Sequence, residues 1–157
     1  MKKKDSDLTG WHNLRRILND LDGMGFETGF FEEDQYGPEN DTLSVAQVAT
    51  WQEFGTYDGG LIPERPFMRV GLVGKMKSKD FERKQAFAVK RILSKKETPI
   101  SAVSKLGKVS ADYLFAQIVT WNTPPNAEST VEQKGFDDPL IETQTMLDSA
   151  KYKMTGI

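Results

Sequence analysis

Apolar residues first recur at helical spacing, at Trp11, Leu14, Ile17, Leu18 and Leu21. This predicts an amphipathic helix with Thr9 as its N-cap and Gly23 and Gly25 ending it. The period then changes. From Met24 to Phe31 the even positions hold Met24, Phe26, Thr28 and Phe30, three apolar residues and a β-branched one, the alternation of a strand. Glu32 to Thr42 is acidic and contains Gly37-Pro38, so it reads as a loop or hairpin tip. Ser44 can cap a helix running to Phe54, with Val45, Val48, Ala49 and Gln52 on one face and Gly55 as its stop. Thr56 to Pro63 is an irregular loop, and Pro66 suits the first position of a short helix carrying Phe67, Met68 and Val70.

The second half is more helical. Lys79 to Lys96 predicts a helix with Phe81, Ala88, Val89, Ile92 and Leu93 inward and Lys84, Lys90, Arg91 and Lys95 outward or at its edges. Thr98-Pro99 is a cap followed by a first-turn proline. The helix it starts carries Val103, Leu106, Ala111, Leu114, Phe115 and Ile118, with a kink expected at Gly107. Pro124-Pro125 forbids its continuation. Asp137-Asp138-Pro139 predicts a turn, Met146 to Ser149 fits helix or extended chain, and Ala150 to Met154 alternates as a closing strand. The expected fold is α+β: a small, mostly antiparallel sheet with three to four helices packed against it. So few strands leave sheet edges open to a neighbour.

At 157 residues the chain fits a single domain spanning 1–157, with 1–8 a flexible basic N-terminus and 8–157 the folded unit. No apolar run reaches about 18 residues, so no membrane span is expected. No apolar stretch follows the N-terminal lysines, so no signal peptide is expected either. The chain has no cysteine and one histidine, His12. That removes thiolate chemistry and makes His-based metal clusters or triads improbable.

The net charge of −2 hides an asymmetry. Asn19 to Glu64 holds eleven acidic residues and no basic one; Lys75 to Lys108 holds eleven basic residues and three acidic ones. A subunit so divided can attract complementary partners at its two ends, or simply carry two solvated faces of different sign.

Most candidate chemistry fails on inspection. Gly71-Leu72-Val73-Gly74-Lys75 suggests a phosphate loop, but Arg69 stands where that pattern needs glycine and Met76 where it needs a magnesium-binding hydroxyl. Glu32-Glu33-Asp34 with Glu39 and Asp41 lacks the ligand spacing of a calcium loop. Asp137-Asp138 has no partner carboxylate placed across a cleft. The expectation is a non-enzyme without a cofactor or metal.

Two stretches carry a resemblance. One runs Val45-Ala46-Gln47-Val48-Ala49-Thr50-Trp51-Gln52-Glu53-Phe54-Gly55-Thr56 and continues in Ile62-Pro63-Glu64-Arg65-Pro66-Phe67-Met68-Arg69. The other runs Ser129 to Gly135 and continues in Asp138-Pro139-Leu140-Ile141-Glu142-Thr143-Gln144-Thr145-Met146-Leu147-Asp148-Ser149. Together they resemble the tail-component and virion-morphogenesis proteins of tailed bacteriophages, the neck and tail-completion families of the HK97 tail-component type. The position after Thr143 is often glycine in such proteins and is Gln144 here, which puts a tight turn at that point in doubt.

The resemblance implies a structural virion protein at the head–tail junction, made in the host bacterial cytoplasm. It implies a homo-oligomeric ring of six or twelve copies that touches other phage neck, connector or tail proteins and no membrane. The subunit interface it points to comprises Glu53, Phe54, Pro63, Arg65, Pro66, Phe67, Met68, Arg69, Pro139 and Leu140. The prolines stiffen the loop and so reduce the entropy lost on docking. Arg65 and Arg69 lie four apart and can reach a neighbour's carboxylates, with Phe67 and Met68 as apolar anchors. The intramolecular alternative puts Phe67 and Met68 in the core and pairs the arginines within the subunit. Two further readings stand beside the ring. One is a channel module that contacts genomic DNA non-specifically, with Lys84, Lys90, Arg91 and Lys95 as candidate DNA-facing residues. The other is an assembly factor that leaves before the particle matures.

Overall fold

The computed structural model describes residues 8–38, 43–56, 62–142 and 144–157. The flexible basic segment expected before residue 8 and the tip of the acidic loop lie outside the described residues. The order is α1 (Thr9–Leu21), β1 (Gly25–Gly29), α2 (Val45–Phe54), a π-helical turn (Met68–Val73) running into α3 (Gly74–Met76), α4 (Lys79–Leu93), α5 (Pro99–Thr120), α6 (Glu128–Lys134), α7 (Thr145–Asp148) and β2 (Lys151–Thr155). The fold is α+β with one two-stranded antiparallel sheet, as expected. The seven α-helices among the described residues exceed the three to four anticipated. The surplus is short: α3, α6 and α7 have three, seven and four residues, too few for a helical period to register in sequence.

β1 pairs with β2 from Gly25 opposite Thr155 to Gly29 opposite Lys151, joining the two ends of the described chain. Strand alternation then sorts the side chains. Thr28 and Tyr152, directly opposite each other, both reach α5: Thr28 hydrogen-bonds Ser110, and Tyr152 shares a 2.8 Å hydrogen bond with Ser104. Gly107 lies between those two serines on α5. It does not break the helix, which runs continuously for 22 residues, about 33 Å. Its missing side chain instead admits the Tyr152 ring.

The main core joins Val45 and Ala49 of α2, Phe67, Leu72, Leu114 and Ile118 of α5, Leu140 and Met146. A smaller cluster of Ala88, Ile92 and Ala102 takes Ile17 and Leu21 from α1. Several residues expected inward are not. Val89 and Leu93 on α4, Phe115 on α5, and Trp11 and Leu18 on α1 are exposed, because each belongs to an apolar stripe wider than the surface its neighbours cover. Thr9 is the first residue of α1 and Leu8 occupies the cap position, so the expected Thr9 cap is displaced by one.

α4 ends at Leu93, short of the expected Lys96. Lys95 takes φ 57°, its N–H donates to Ile92 O at 2.9 Å, and Lys96 N–H donates to Arg91 O at 2.9 Å. This is the paired closure of a Schellman motif with lysine at the left-handed position. Gln144 is also left-handed, at φ 63° and ψ −6°, leading into α7. The turn that glycine would favour is therefore made with glutamine, at a Cβ cost of about 1 kcal/mol. Gln144→Gly removes that cost but loosens the unfolded chain. The expected net gain is about 0.5 kcal/mol, read as a higher urea midpoint; a lower midpoint refutes the strain.

Candidate functional site

The residues of the first motif converge on one buried carboxylate. The last turn of α2 carries Glu53 beneath the start of the π-helical turn, whose first N–H groups have no partner within their own helix. The Glu53 carboxylate accepts from Met68 N–H at 2.8 Å, Arg69 N–H at 3.1 Å and Arg69 Nε at 2.8 Å. It caps from fifteen residues upstream a helical turn that no local side chain caps. Its negative charge also suits the positive end of that turn. Arg69 reaches back to the Glu53 carbonyl at 3.1 Å and pairs with Glu64. Its guanidinium lies 4.8 Å from the centre of the Phe54 ring. The hydrogen bonds to Glu53 and then to Glu64 push the Arg69 pKa above its ordinary value.

Arg65 is 3% exposed. Its Nε donates to Pro124 O at 3.0 Å, Nη1 to Gln52 Oε1 at 2.6 Å and Nη2 to Pro125 O at 3.1 Å. Burial lowers the pKa of this guanidinium, and the field of Asp137 opposes the shift. Arg65 therefore ties α2 to the loop after α5, a loop whose prolines leave carbonyls with no helix to join.

These contacts correct the expected interface. Glu53, Arg65, Phe67, Pro139 and Leu140 are buried within the subunit. Met68 and Pro66 are half-buried, and Met68 packs on the core. Phe54, Pro63 and Arg69 remain at the surface, and Arg69 is already occupied by its own chain. The intramolecular alternative describes both arginines. The acidic stretch is partly spent in the same way: Glu33 and Asp34 take Lys151 and Lys153, with Lys153–Glu33 at 2.5 Å and Lys151–Asp34 at 2.7 Å. Sequence reading missed Gln52, Glu64 and the carbonyls of Pro124 and Pro125. The sixteen-residue separation of Glu53 from Arg69 was on view, but no periodicity joins residues across a loop.

The second feature is a groove of about 660 Å³ between α4 and α5. A short turn folds the two helices antiparallel, so Asp80 near the start of α4 receives the Tyr113 hydroxyl at 2.9 Å. Thr98 caps α5 by accepting from Ser101 N–H at 3.3 Å. Glu97, just before it, accepts from Arg91 Nε at 2.8 Å, Lys105 Nζ at 2.5 Å and Ser101 Oγ at 2.9 Å. Lys105, then Arg91 and Ser101, pull the Glu97 pKa from 4.5 to about 2. The unfolded chain therefore binds this proton first. The stabilisation from Glu97 is complete above about pH 4.5 and is lost as pH falls toward 2. Glu33, held near 2 chiefly by Lys153, titrates in the same window. Glu97→Gln is expected to flatten part of the fall in thermal midpoint between pH 5 and pH 2; an unchanged pH slope refutes the assignment.

The four candidate DNA-facing residues do not form one surface. Lys84 and Arg91 line the groove, paired with Asp80 at 3.2 Å and Glu97 respectively. Lys90 points about 100° away from Arg91 around the helix. Lys95 closes the helix end. Among the described residues, no group of three or more His, Cys, Asp or Glu is placed to hold a metal, and no helix is long and apolar enough to cross a membrane. Glu39 and Asp41 of the acidic loop lie outside the described residues, and Gly71 to Lys75 are helical. No protein-family model matches the chain, and neither the curated proteins nor the solved structures provide a match.

Proposed function

We propose that this protein is a structural ring subunit of a tailed-bacteriophage particle. In this reading it acts without turnover at the head–tail junction, as a neck or tail-completion protein in six or twelve copies. The role comes from the motif residues around Glu53–Arg69 and Asp138–Ser149. The observation that carries self-assembly is the unfilled apolar surface. Fourteen large apolar residues are exposed among the described residues, against thirteen buried ones of which four are alanine. Val89 and Leu93 on α4, and Phe115 and Val119 on α5, lie four apart and so adjoin on their helix faces, the kind of apolar surface a neighbouring subunit covers. The motif residues then serve the ring indirectly, by fixing α2, the π-helical turn and the loop after α5 into one rigid unit. The contacts themselves are proposed to run through exposed side chains such as Trp11, Val89, Leu93, Phe115 and Val119.

Size-exclusion chromatography with light scattering, together with electron microscopy of purified virions, tests this. A closed ring with a fixed copy number, present in mature particles, is the expected result. A monomer at high concentration that is absent from virions sinks the proposal. Presence in mature particles also excludes the departing assembly factor.

A further inference from the structure

We infer that the groove between α4 and α5 is a docking site for an acidic amphipathic helix supplied by a different protein. Two antiparallel helices present a third helix with a trough, and here the trough is open. Its α4 wall runs from Asp80 to Arg91, about 16 Å or three helical turns. Ala88 and Ala102 are small enough to let another backbone approach. Leu106, Val109 and the exposed Phe87 supply the apolar lining. An occupant with an i, i+3, i+4, i+7 apolar stripe fits this shape.

The rim selects its charge. Arg83, Lys84, Arg91 and Lys105 face two carboxylates, Asp80 and Glu97. Those carboxylates already hold Lys84, Arg91 and Lys105; among the described residues no carboxylate lies within ion-pair distance of Arg83, which acts on Asp80 only through its longer-range field. The groove therefore keeps a net positive rim, which favours a helix flanked by Glu or Asp. The protein's own α1 is the wrong occupant. Its exposed Leu8, Trp11 and Leu18 share a face with Arg15, which would set like charge against Arg83. This assignment does not depend on the ring reading.

The test uses the full chain and a fluorescein-labelled synthetic helix of about 18 residues, with leucines at helical spacing and glutamates on both flanks. Fluorescence anisotropy should show saturable binding that weakens about tenfold with Arg83→Glu. Binding should also weaken from ~50 to ~300 mM salt and disappear with Val109→Asp. Arg83 is at the surface, so Arg83→Glu keeps the test open if Val109→Asp does not fold, as circular dichroism reports. Equal binding by a lysine-flanked twin, or binding indifferent to Arg83→Glu, overturns the inference. So does self-association of the protein that Val109→Asp or Arg83→Glu abolishes, since the occupant is then a second copy. Arg83-dependent binding of duplex DNA without peptide binding overturns it as well.

Discussion

Glu53→Ala is expected to remove about 3–5 kcal/mol of unfolding free energy, the loss that follows when a buried charged hydrogen-bonding group is deleted and its partners stay behind. Three donors converge on this carboxylate, two of them backbone N–H groups at the start of a helical turn. In Glu53→Ala the turn keeps its orphan N–H groups, now beside a cavity, and the Arg69 guanidinium loses its principal partner. Glu53→Gln keeps one acceptor oxygen but turns an NH2 toward donors, so about half the loss is expected. Glu64→Ala should be nearly silent, because that pair sits in solvent. Urea unfolding of the three variants checks the order. A loss below about 1 kcal/mol for Glu53→Ala would show that water satisfies the turn, and the clamp would not then be what holds it.

That carboxylate also shows where sequence reading stops. Glu53, Arg65 and Arg69 stand out by residue type and motif; the structure joins Glu53 and Arg69 at one turn and sends Arg65 to Gln52 and the loop after α5. Their direction was not legible. A guanidinium and a carboxylate have the same chemistry across a subunit boundary as within one, and only burial tells the two apart. Arg65 at 3% exposure and Phe67 at 0% leave nothing for a neighbour to touch. The groove was less visible still. Lys84 and Arg91 were singled out for charge, but the acidic Glu97 that neutralises Arg91 lies six residues later, beyond the helix end. Phe87 is an exposed residue of α4 that lines a groove only because α5 folds back beside it.

Elements with a long period were legible: α1, α2, α4, α5 and both strands stand within a few residues of their predicted places. The apolar period located each helix but not how much of its stripe a neighbour covers. Val89 and Leu93 look inward by spacing, yet α4 buries only the arc holding Phe81, Ala88 and Ile92. Inward position is set by the packing partner, which spacing along a single helix does not reveal.

Gly107, which suggests only a kink when read from sequence, carries the second large expected effect. A glycine in mid-helix ordinarily costs about 1 kcal/mol relative to alanine, so replacing it should help. Gly74 meets that case: its backbone is helical, nothing lies within 4 Å of a built Cβ, and Gly74→Ala should stabilise by several tenths of a kcal/mol. Gly107 is the opposite. A Cβ there would lie 2.8 Å from Tyr152 Cε2 and nearer still to Cδ2. The ring cannot easily yield, because its hydroxyl is tied to Ser104 and its strand is registered against β1, whose Thr28 is tied to Ser110. Gly107→Val therefore pushes the whole sheet off α5, and about 3 kcal/mol of destabilisation is expected from the overpacking. Because the two strands pair only with each other among the described residues, the lifted sheet should expose β1 and β2 together. Amide exchange should then speed up at Phe26–Thr28 and Tyr152–Met154 more than in α2. If Gly107→Val melts at or above the parent temperature, Tyr152 is not packed on α5 as described.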